Sequence, residues 1–189
     1  MLWFYDRARA SFPPGTRICA LGTSAGGHLA LLIGTSRSDL YCAISKAGPT
    51  DLRVIQDEGA WDPAAGTYSQ TIGGRVVHNA AAAAFGEENL LRYSPAAQAS
   101  PTLRSTRVLQ GFSADDAFVP YQQAEDLAVA MHAVDLAAYV DNIQLTAGTI
   151  PFGHGGVTRT ALTDYYARER MLAEPLGVVE PAGAESIGP

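Results

Sequence analysis

The chain has 189 residues, of which 47% are hydrophobic and 17% are charged, and its formal net charge is −6. This size and composition predict one globular domain with its own core. The acidic balance, with Lys46 as the only lysine, excludes nucleic acid as an expected partner. Because no apolar run is long enough to span a bilayer and the N-terminus lacks a signal-peptide layout, we expect no membrane partner and a cytoplasmic location.

The first 50 residues predict a helix, a strand, a second helix and a second strand. Met1–Phe12 is typical of a short helix, and the Pro-Pro-Gly sequence that follows it ends that helix. Strands are predicted at Ile18–Leu21 and at about Tyr41–Lys46. Cys19 and Cys42 lie inside these apolar runs, and we interpret both as buried free thiols rather than as a disulfide or a metal site.

The middle of the chain shows no clean hydrophobic period. We interpret residues 53–85 as an irregular insertion or cap with one alanine-rich helix, which would shape a substrate pocket. Trp61 and Tyr68 are candidates for lining that pocket, with ordinary packing as the alternative for each.

Strands and helices alternate again in the second half. A third strand is predicted at Arg107–Gly111, a helix at Pro120–Val134 and a fourth strand within Leu136–Leu145. A final helix is expected at about Thr158–Ala173, before a disordered tail at residues 174–189. Such alternation predicts an α/β fold with a mostly parallel sheet.

The turn after the first strand carries the strongest chemical signal. Its sequence, Gly22–Gly26, is a G-x-S-x-G pattern between a strand and the helical run Gly27–Ile33. Glycines on both sides of the serine permit a sharp, strained turn that exposes the serine hydroxyl at the end of the strand. Ser24 is therefore a candidate nucleophile. The Ala25 N–H, at a helix N-terminus, is a candidate oxyanion donor.

A serine nucleophile needs an imidazole to accept its proton, and the chain has four histidines. His154 is the best candidate, because it lies on a glycine-flanked loop before a predicted helix. His28 is expected to have a packing or capping role, His78 lies in the insertion, and His132 belongs to the polar face of the helix that begins near Pro120.

The acid that orients the histidine is expected after the third strand, where Asp115 and Asp116 are adjacent. Either could instead cap the following helix. We favour Asp116 and leave Asp115 open. Ser24, this aspartate pair and His154 each follow a predicted strand, so they should meet at one edge of a parallel sheet.

These motifs together resemble the α/β-hydrolase esterases, in particular the acetyl-esterase and acetylxylan-esterase-like branch near the hormone-sensitive-lipase-like and prolyl-oligopeptidase-like groups. The resemblance covers about residues 3–173 and rests on the segments Gly22–Ala30, Gly48–Leu52, Tyr93–Pro95, Gly111–Pro120 and Gly153–Gly155. It implies Ser24 as nucleophile, His154 as base and Asp116 as acid, with a small-molecule ester as substrate and with no metal or organic cofactor.

One departure from the family concerns the start of the chain. The family places four strands and a His-Gly-Gly-type oxyanion loop before the nucleophile strand, whereas only 23 residues precede Ser24. We therefore expect the C-terminal half of an α/β-hydrolase fold with impaired activity: a fragment, a truncated reading frame, or a chain completed by a partner or a second copy at its exposed strand edge. An inactive interaction module and a peptidase or amidase with the same triad are the alternatives.

Overall fold

The computed structural model describes most of the chain up to Gly155. The described residues are 2–62, 67–70, 72–100, 106–136, 140–144, 146–147, 150–151 and 153–155. The predicted final helix at 158–173 and the predicted tail at 174–189 lie outside the described residues.

Helices and strands alternate in the described residues, as the sequence predicts, apart from two short antiparallel pairs of strands. The α-helices are α1 (Leu2–Ala10), α2 (Ala25–Gly34), α3 (Ile72–Phe85) and α4 (Gln122–His132). The strands are β1 (Cys19–Thr23), β2 (Cys42–Lys46), β3 (Gly59–Asp62), β4 (Thr67–Gln70), β5 (Arg107–Phe112), β6 (Val140–Gln144), β7 (Thr146–Ala147) and β8 (Ile150–Pro151). Short 3₁₀ turns occur at Glu87–Asn89 and Pro95–Gln98.

A four-stranded parallel sheet, in the order β1-β2-β5-β6, forms the centre of the fold. Lys46 pairs with Thr23 on one side and with Gly111 on the other, so the carboxyl ends of β1, β2 and β5 are level. Because the strands are parallel, the loops that follow them open at the same edge of the sheet.

Alternate residues of the inner strands point to opposite faces of the sheet. Ala43 and Val108 join a core with Leu31 of α2 and Leu127 of α4, and each of the four is at most 3% exposed. Ile44 and its neighbours Leu109 and Cys42 form a second, smaller cluster on the other face. Both faces of β2 are buried, as expected for a central strand of a parallel sheet.

The insertion at 53–85 is more regular than the sequence predicts. The alanine-rich helix is present as α3, but it is preceded by the antiparallel pair β3 and β4, which the sequence analysis missed. Short strands without a clear alternation of apolar residues leave little periodic signal. Trp61 and Tyr68, the predicted pocket-lining aromatics, lie opposite each other in this pair, and the structure describes their backbone but not their side chains. No helix in the described ranges is long and apolar enough to cross a membrane.

The prediction that Cys19 and Cys42 are free thiols is wrong, because the two residues form a disulfide. They are directly paired across the parallel strands β1 and β2, with their Cα atoms 4.6 Å apart. That separation lies within the range that a disulfide can bridge. Each cysteine lies in an apolar run that looks like ordinary core, and only the strand register brings the two sulfurs together.

This disulfide closes a loop across 23 positions of the chain, which corresponds to a stabilisation of about 3 kcal/mol from the reduced entropy of the unfolded chain. We expect Cys19→Ser to lower the free energy of unfolding, measured by urea denaturation, by roughly 2–4 kcal/mol. Cys42→Ser should cost a similar amount. The Cys19→Ser/Cys42→Ser variant should cost much less than the sum of the two, since either single change already breaks the bond. Fully additive losses would contradict the pairing.

Candidate active site

Ser24 lies at the sharp turn between β1 and α2. Its φ of 51° and ψ of −121° are strained for a residue with a side chain, and its backbone N–H donates to the Lys46 carbonyl oxygen at 2.8 Å. The turn is so tight that a Cβ atom on Gly22 would lie 2.1 Å from the Gly26 carbonyl oxygen. Glycine at position 22 is therefore a steric requirement of the turn that presents the serine.

The structure brings the three predicted side chains into one hydrogen-bonded chain. His154 Nε2 lies 3.1 Å from Ser24 Oγ, and His154 Nδ1 lies 2.8 Å from Asp116 Oδ2. Ser24 follows β1 and Asp116 follows β5, at the carboxyl edge of the parallel sheet. His154 follows β8 of the separate antiparallel pair β7–β8 and meets them there through its two ring nitrogens.

Asp116 is fully buried, and its second oxygen is also satisfied. Oδ1 accepts hydrogen bonds from the backbone N–H groups of Phe118 and Val119, at 2.8 and 2.9 Å. These bonds leave Oδ2 directed at the His154 ring, which also packs against the Phe118 ring with 5.4 Å between centroids. Of the two adjacent aspartates, it is Asp116 whose side chain contacts the imidazole.

Asp115 points to the backbone that precedes the histidine. Its Oδ1 accepts a hydrogen bond from the Gly153 N–H at 3.0 Å and another from the Ser113 hydroxyl. The alternative in which Asp115 caps the following helix does not match this geometry. Both carboxylates therefore contact the Gly153-His154 segment, one through the main chain and one through the ring.

The other three histidines have different surroundings. His28 is buried on α2 and its Nδ1–H donates to the Pro49 carbonyl oxygen at 2.9 Å, as expected for a packing residue. Burial lowers the pKa of His28, so its imidazole is neutral. His78 is buried on α3 with its Nε2 3.3 Å from Glu87 Oε1, and His132 is exposed at the end of α4.

Ala25, the predicted oxyanion donor, is the first residue of α2. The first hydrogen bond of this helix runs from the His28 N–H to the Ser24 carbonyl oxygen at 3.0 Å. The Ala25 N–H precedes that bond in the first turn of the helix, at the positive end of the helix dipole.

A cavity of about 380 Å³ opens directly beside Ser24. One wall comes from the turn and α2, a second from the loop after β2, and the third from α3. Its lining is almost entirely apolar apart from Ser24 and His28 and consists of Ser24, Ala25, His28, Leu29, Pro49, Leu52, Val76, Val77, Ala80, Ala81, Ala84, Phe85 and Val119.

Gln123, which the sequence pattern did not single out, fixes one wall of this cavity. Gln123 is fully buried, and its side-chain oxygen accepts from the backbone N–H groups of Thr50 and Asp51, at 2.7 and 2.8 Å. Its amide group donates to the Asp51 carbonyl oxygen at 3.1 Å and to Glu58 at 2.8 Å. The signal in the sequence that could have identified Gln123 is a polar residue on the buried face of the helix predicted at Pro120–Val134.

A second polar feature behind this loop is a pair of carboxyl groups, Glu58 and Asp126, that share a hydrogen bond. Burial, the proximity of Asp126 and the nearby Asp51 raise the pKa of Glu58 to about 8. Burial also raises the pKa of Asp126, although Arg53 acts in the opposite direction. One carboxyl of the pair therefore retains a proton near neutral pH. In the described part of the chain, no three His, Cys, Asp or Glu residues are placed to hold a metal ion.

The parallel sheet, the strained serine turn and the loops at its carboxyl edge are the architecture of an α/β-hydrolase. A sequence profile of the prolyl oligopeptidase family matches residues 8–169. The chain therefore belongs to the prolyl oligopeptidase family. The motifs in the sequence indicate a resemblance to the acetyl-esterase-like branch, near the prolyl-oligopeptidase-like group. A search of curated protein sequences finds no significant match.

Solved structures share the fold at low sequence identity. An acylaminoacyl peptidase from Pyrococcus horikoshii has a TM-score of 0.58 and 16% identity over 91% of this chain and 25% of its own. A puromycin-hydrolyzing peptidase from Mycobacterium tuberculosis has a TM-score of 0.59 and 20% identity over 92% of this chain and 25% of its own. An acetyl ester-xyloside bifunctional hydrolase from Caldicellulosiruptor lactoaceticus has a TM-score of 0.52 and 20% identity over 89% of this chain and 57% of its own. The chain thus spans about a quarter of the length of the two peptidases.

The raised pKa of Glu58 gives stability a defined pH dependence. The unfolded chain loses this proton near the ordinary pKa of 4.5, whereas the folded chain keeps it up to about pH 8. The folded state therefore loses stability as the pH rises between these values.

We expect the melting temperature of the wild type, measured by differential scanning calorimetry, to fall more between about pH 5 and pH 8 than that of Glu58→Gln. Asp57→Asn, at an exposed neighbouring position, should behave like the wild type. Parallel curves for wild type and Glu58→Gln would contradict the assignment.

Proposed function

We propose that this chain carries the catalytic side chains of a serine hydrolase that cleaves carboxylic esters through an acyl-enzyme. The observation that carries the proposal is the continuous hydrogen-bonded chain from Ser24 through His154 to Asp116. Membership of a hydrolase family supports it.

Each residue has a role that follows from its contacts. His154 Nε2 accepts the proton of the Ser24 hydroxyl as Oγ attacks the ester carbonyl carbon, and it then gives that proton to the departing alcohol. Asp116 accepts the His154 Nδ1–H, which selects the tautomer with a free Nε2 lone pair and stabilises the imidazolium. Water activated by the same histidine then releases the acid and regenerates the serine.

The charge that develops on the carbonyl oxygen needs hydrogen-bond donors. The Ala25 N–H, at the start of α2, is the donor that this chain supplies. Removal of one such donor from a serine hydrolase typically slows it by about 100- to 1000-fold, so the number of donors present sets the rate.

The cavity beside Ser24 supports an apolar acyl group as the part of the substrate that this chain binds. Side chains from α3 and the loop after β2 line it, and its volume of about 380 Å³ suits a small or medium-sized group. An acyl group in this cavity would lie next to the serine oxygen that attacks its carbonyl carbon.

A peptidase or amidase is the second candidate, because the same triad serves esters and amides. The observation that favours it is the family itself, together with the peptidase names of two structural neighbours. Matched ester and anilide substrates of the same acyl group separate the two candidates by their kcat/KM values.

An interaction module is the third candidate, and it rests on the edge of the sheet. Strand β1 pairs only with β2 among the described residues, and Leu21 on this strand is 51% exposed. Such an edge can accept a strand from a complementing chain or from a second copy of this one. Size-exclusion chromatography with light scattering tests the second copy.

The triad assignment predicts covalent labelling of Ser24 by a fluorophosphonate probe, read by intact-protein mass spectrometry. Ser24→Ala should abolish labelling, and Asp116→Asn should lower ester turnover by up to about 10⁴-fold, because the imidazole is then held in the wrong tautomer. A folded wild-type sample that is neither labelled nor active would exclude the hydrolase and favour the interaction module.

The cavity assignment predicts a change of acyl-chain preference in Ala80→Leu, since the larger side chain fills space beside Ser24. Against a series of p-nitrophenyl esters, kcat/KM should fall roughly tenfold or more for longer acyl chains and change little for acetate. Ala83→Leu is the matched control, because Ala83 is exposed on the same helix and is not part of the lining. An unchanged chain-length profile in Ala80→Leu would show that acyl groups bind elsewhere.

A further inference from the structure

The segment that presents His154 contains residues with high backbone freedom. Gly153 and Gly155 flank the histidine, and Gly153 has a φ of +54°, in the left-handed region that favours glycine. Glycine loses more backbone freedom on folding than any other residue, so a glycine-flanked histidine needs anchors to hold its ring at one position.

One anchor acts on the main chain immediately before the histidine. The Gly153 N–H donates to Asp115 Oδ1 at 3.0 Å. The Asp115 carboxyl group therefore restrains the backbone at Gly153, one residue before His154.

Asp115 is itself held from the opposite side. Ser113, which is 1% exposed, donates its hydroxyl proton to the same Oδ1 atom. The Asp116 N–H also donates to the Ser113 carbonyl oxygen at 3.1 Å, which closes a tight turn over residues 113–116. The turn directs two adjacent carboxylates at one target segment.

We infer that Asp115 is a positioning residue, which holds the Gly153 peptide so that the His154 ring stays between Ser24 and Asp116. This inference rests on the proposed function of the Ser24 site. The two aspartates act on the same segment in different ways, since Asp116 orients the imidazole through Nδ1 and Asp115 fixes the backbone that carries it. The hydrogen bonds of Asp115, rather than its negative charge, perform this role.

Two substitutions separate hydrogen bonding from charge. In Asp115→Asn the side-chain oxygen can still accept from the Gly153 N–H and the Ser113 hydroxyl, whereas Asp115→Ala removes both bonds. We expect Asp115→Ala to lower kcat for a p-nitrophenyl ester by roughly 10- to 100-fold with little change in KM, because a displacement of about 1 Å costs that much. Asp115→Asn should stay within about threefold of the wild type, and Ser113→Ala should fall between them.

A second readout does not depend on turnover. The His154 Nδ1–H proton, held against Asp116, should give a downfield NMR resonance protected from exchange with water. The resonance should persist in Asp115→Asn and broaden or vanish in Asp115→Ala, with circular dichroism showing that each variant is folded. Should Asp115→Ala fail to fold, Ser113→Ala removes one of the two donors to Asp115 and should broaden the resonance to a smaller extent, whereas a resonance unchanged in Ser113→Ala would count against the inference.

The outcomes separate this inference from the proposed function. A wild type that shows the resonance but neither labelling nor turnover removes the proposed function, and the NMR comparison still decides the role of Asp115. Asp115→Ala with wild-type kcat and an unchanged resonance overturns the inference. So does Asp115→Asn with a loss as large as that of Asp115→Ala, since the charge would then be the active property.

Discussion

The level carboxyl edge of the parallel sheet sets where the turns that carry Ser24 and Asp116 begin. Backbone hydrogen bonds continue across this edge beyond the strands: the Ser24 N–H donates to the Lys46 carbonyl oxygen, and the Ala47 N–H donates to that of Gly111, each at 2.8 Å. The turns after β1, β2 and β5 therefore begin from a common, rigid line. Side chains far apart in sequence can meet there with hydrogen-bond accuracy.

Buried polar groups behind this edge hold its loops in place. From α4, Gln123 satisfies three backbone groups of the Thr50-Asp51 loop. Unpaired backbone groups in such a buried loop would each cost about 1–3 kcal/mol. The paired carboxyl groups of Glu58 and Asp126 next to this network add a group whose protonation state changes near neutral pH. One wall of the cavity beside Ser24 thus rests on polar contacts as well as on the apolar packing of Leu52.

Much of the fold and the candidate site was predictable from local pattern. Ser24 stands out because glycines and an apolar strand surround it. Asp116 and His154, which are expected after later strands, are the side chains that form a hydrogen-bonded chain with it. The sequence could not show that Asp115 contacts the Gly153 backbone or that Gln123 holds the loop after β2. Both contacts join residues tens of positions apart, and neither leaves a periodic signal.

Local sequence was sufficient for the alternation of strands and helices, the strained serine turn and the types of side chain at the ends of the strands. Each of these follows from local sterics or hydrophobic period. The Cys19–Cys42 bond, the β3–β4 pair and the different contacts of Asp115 and Asp116 became visible only in the folded chain. All three have the same origin: strand register and loop docking set which atoms meet, and both depend on long-range packing that neighbouring residues do not encode.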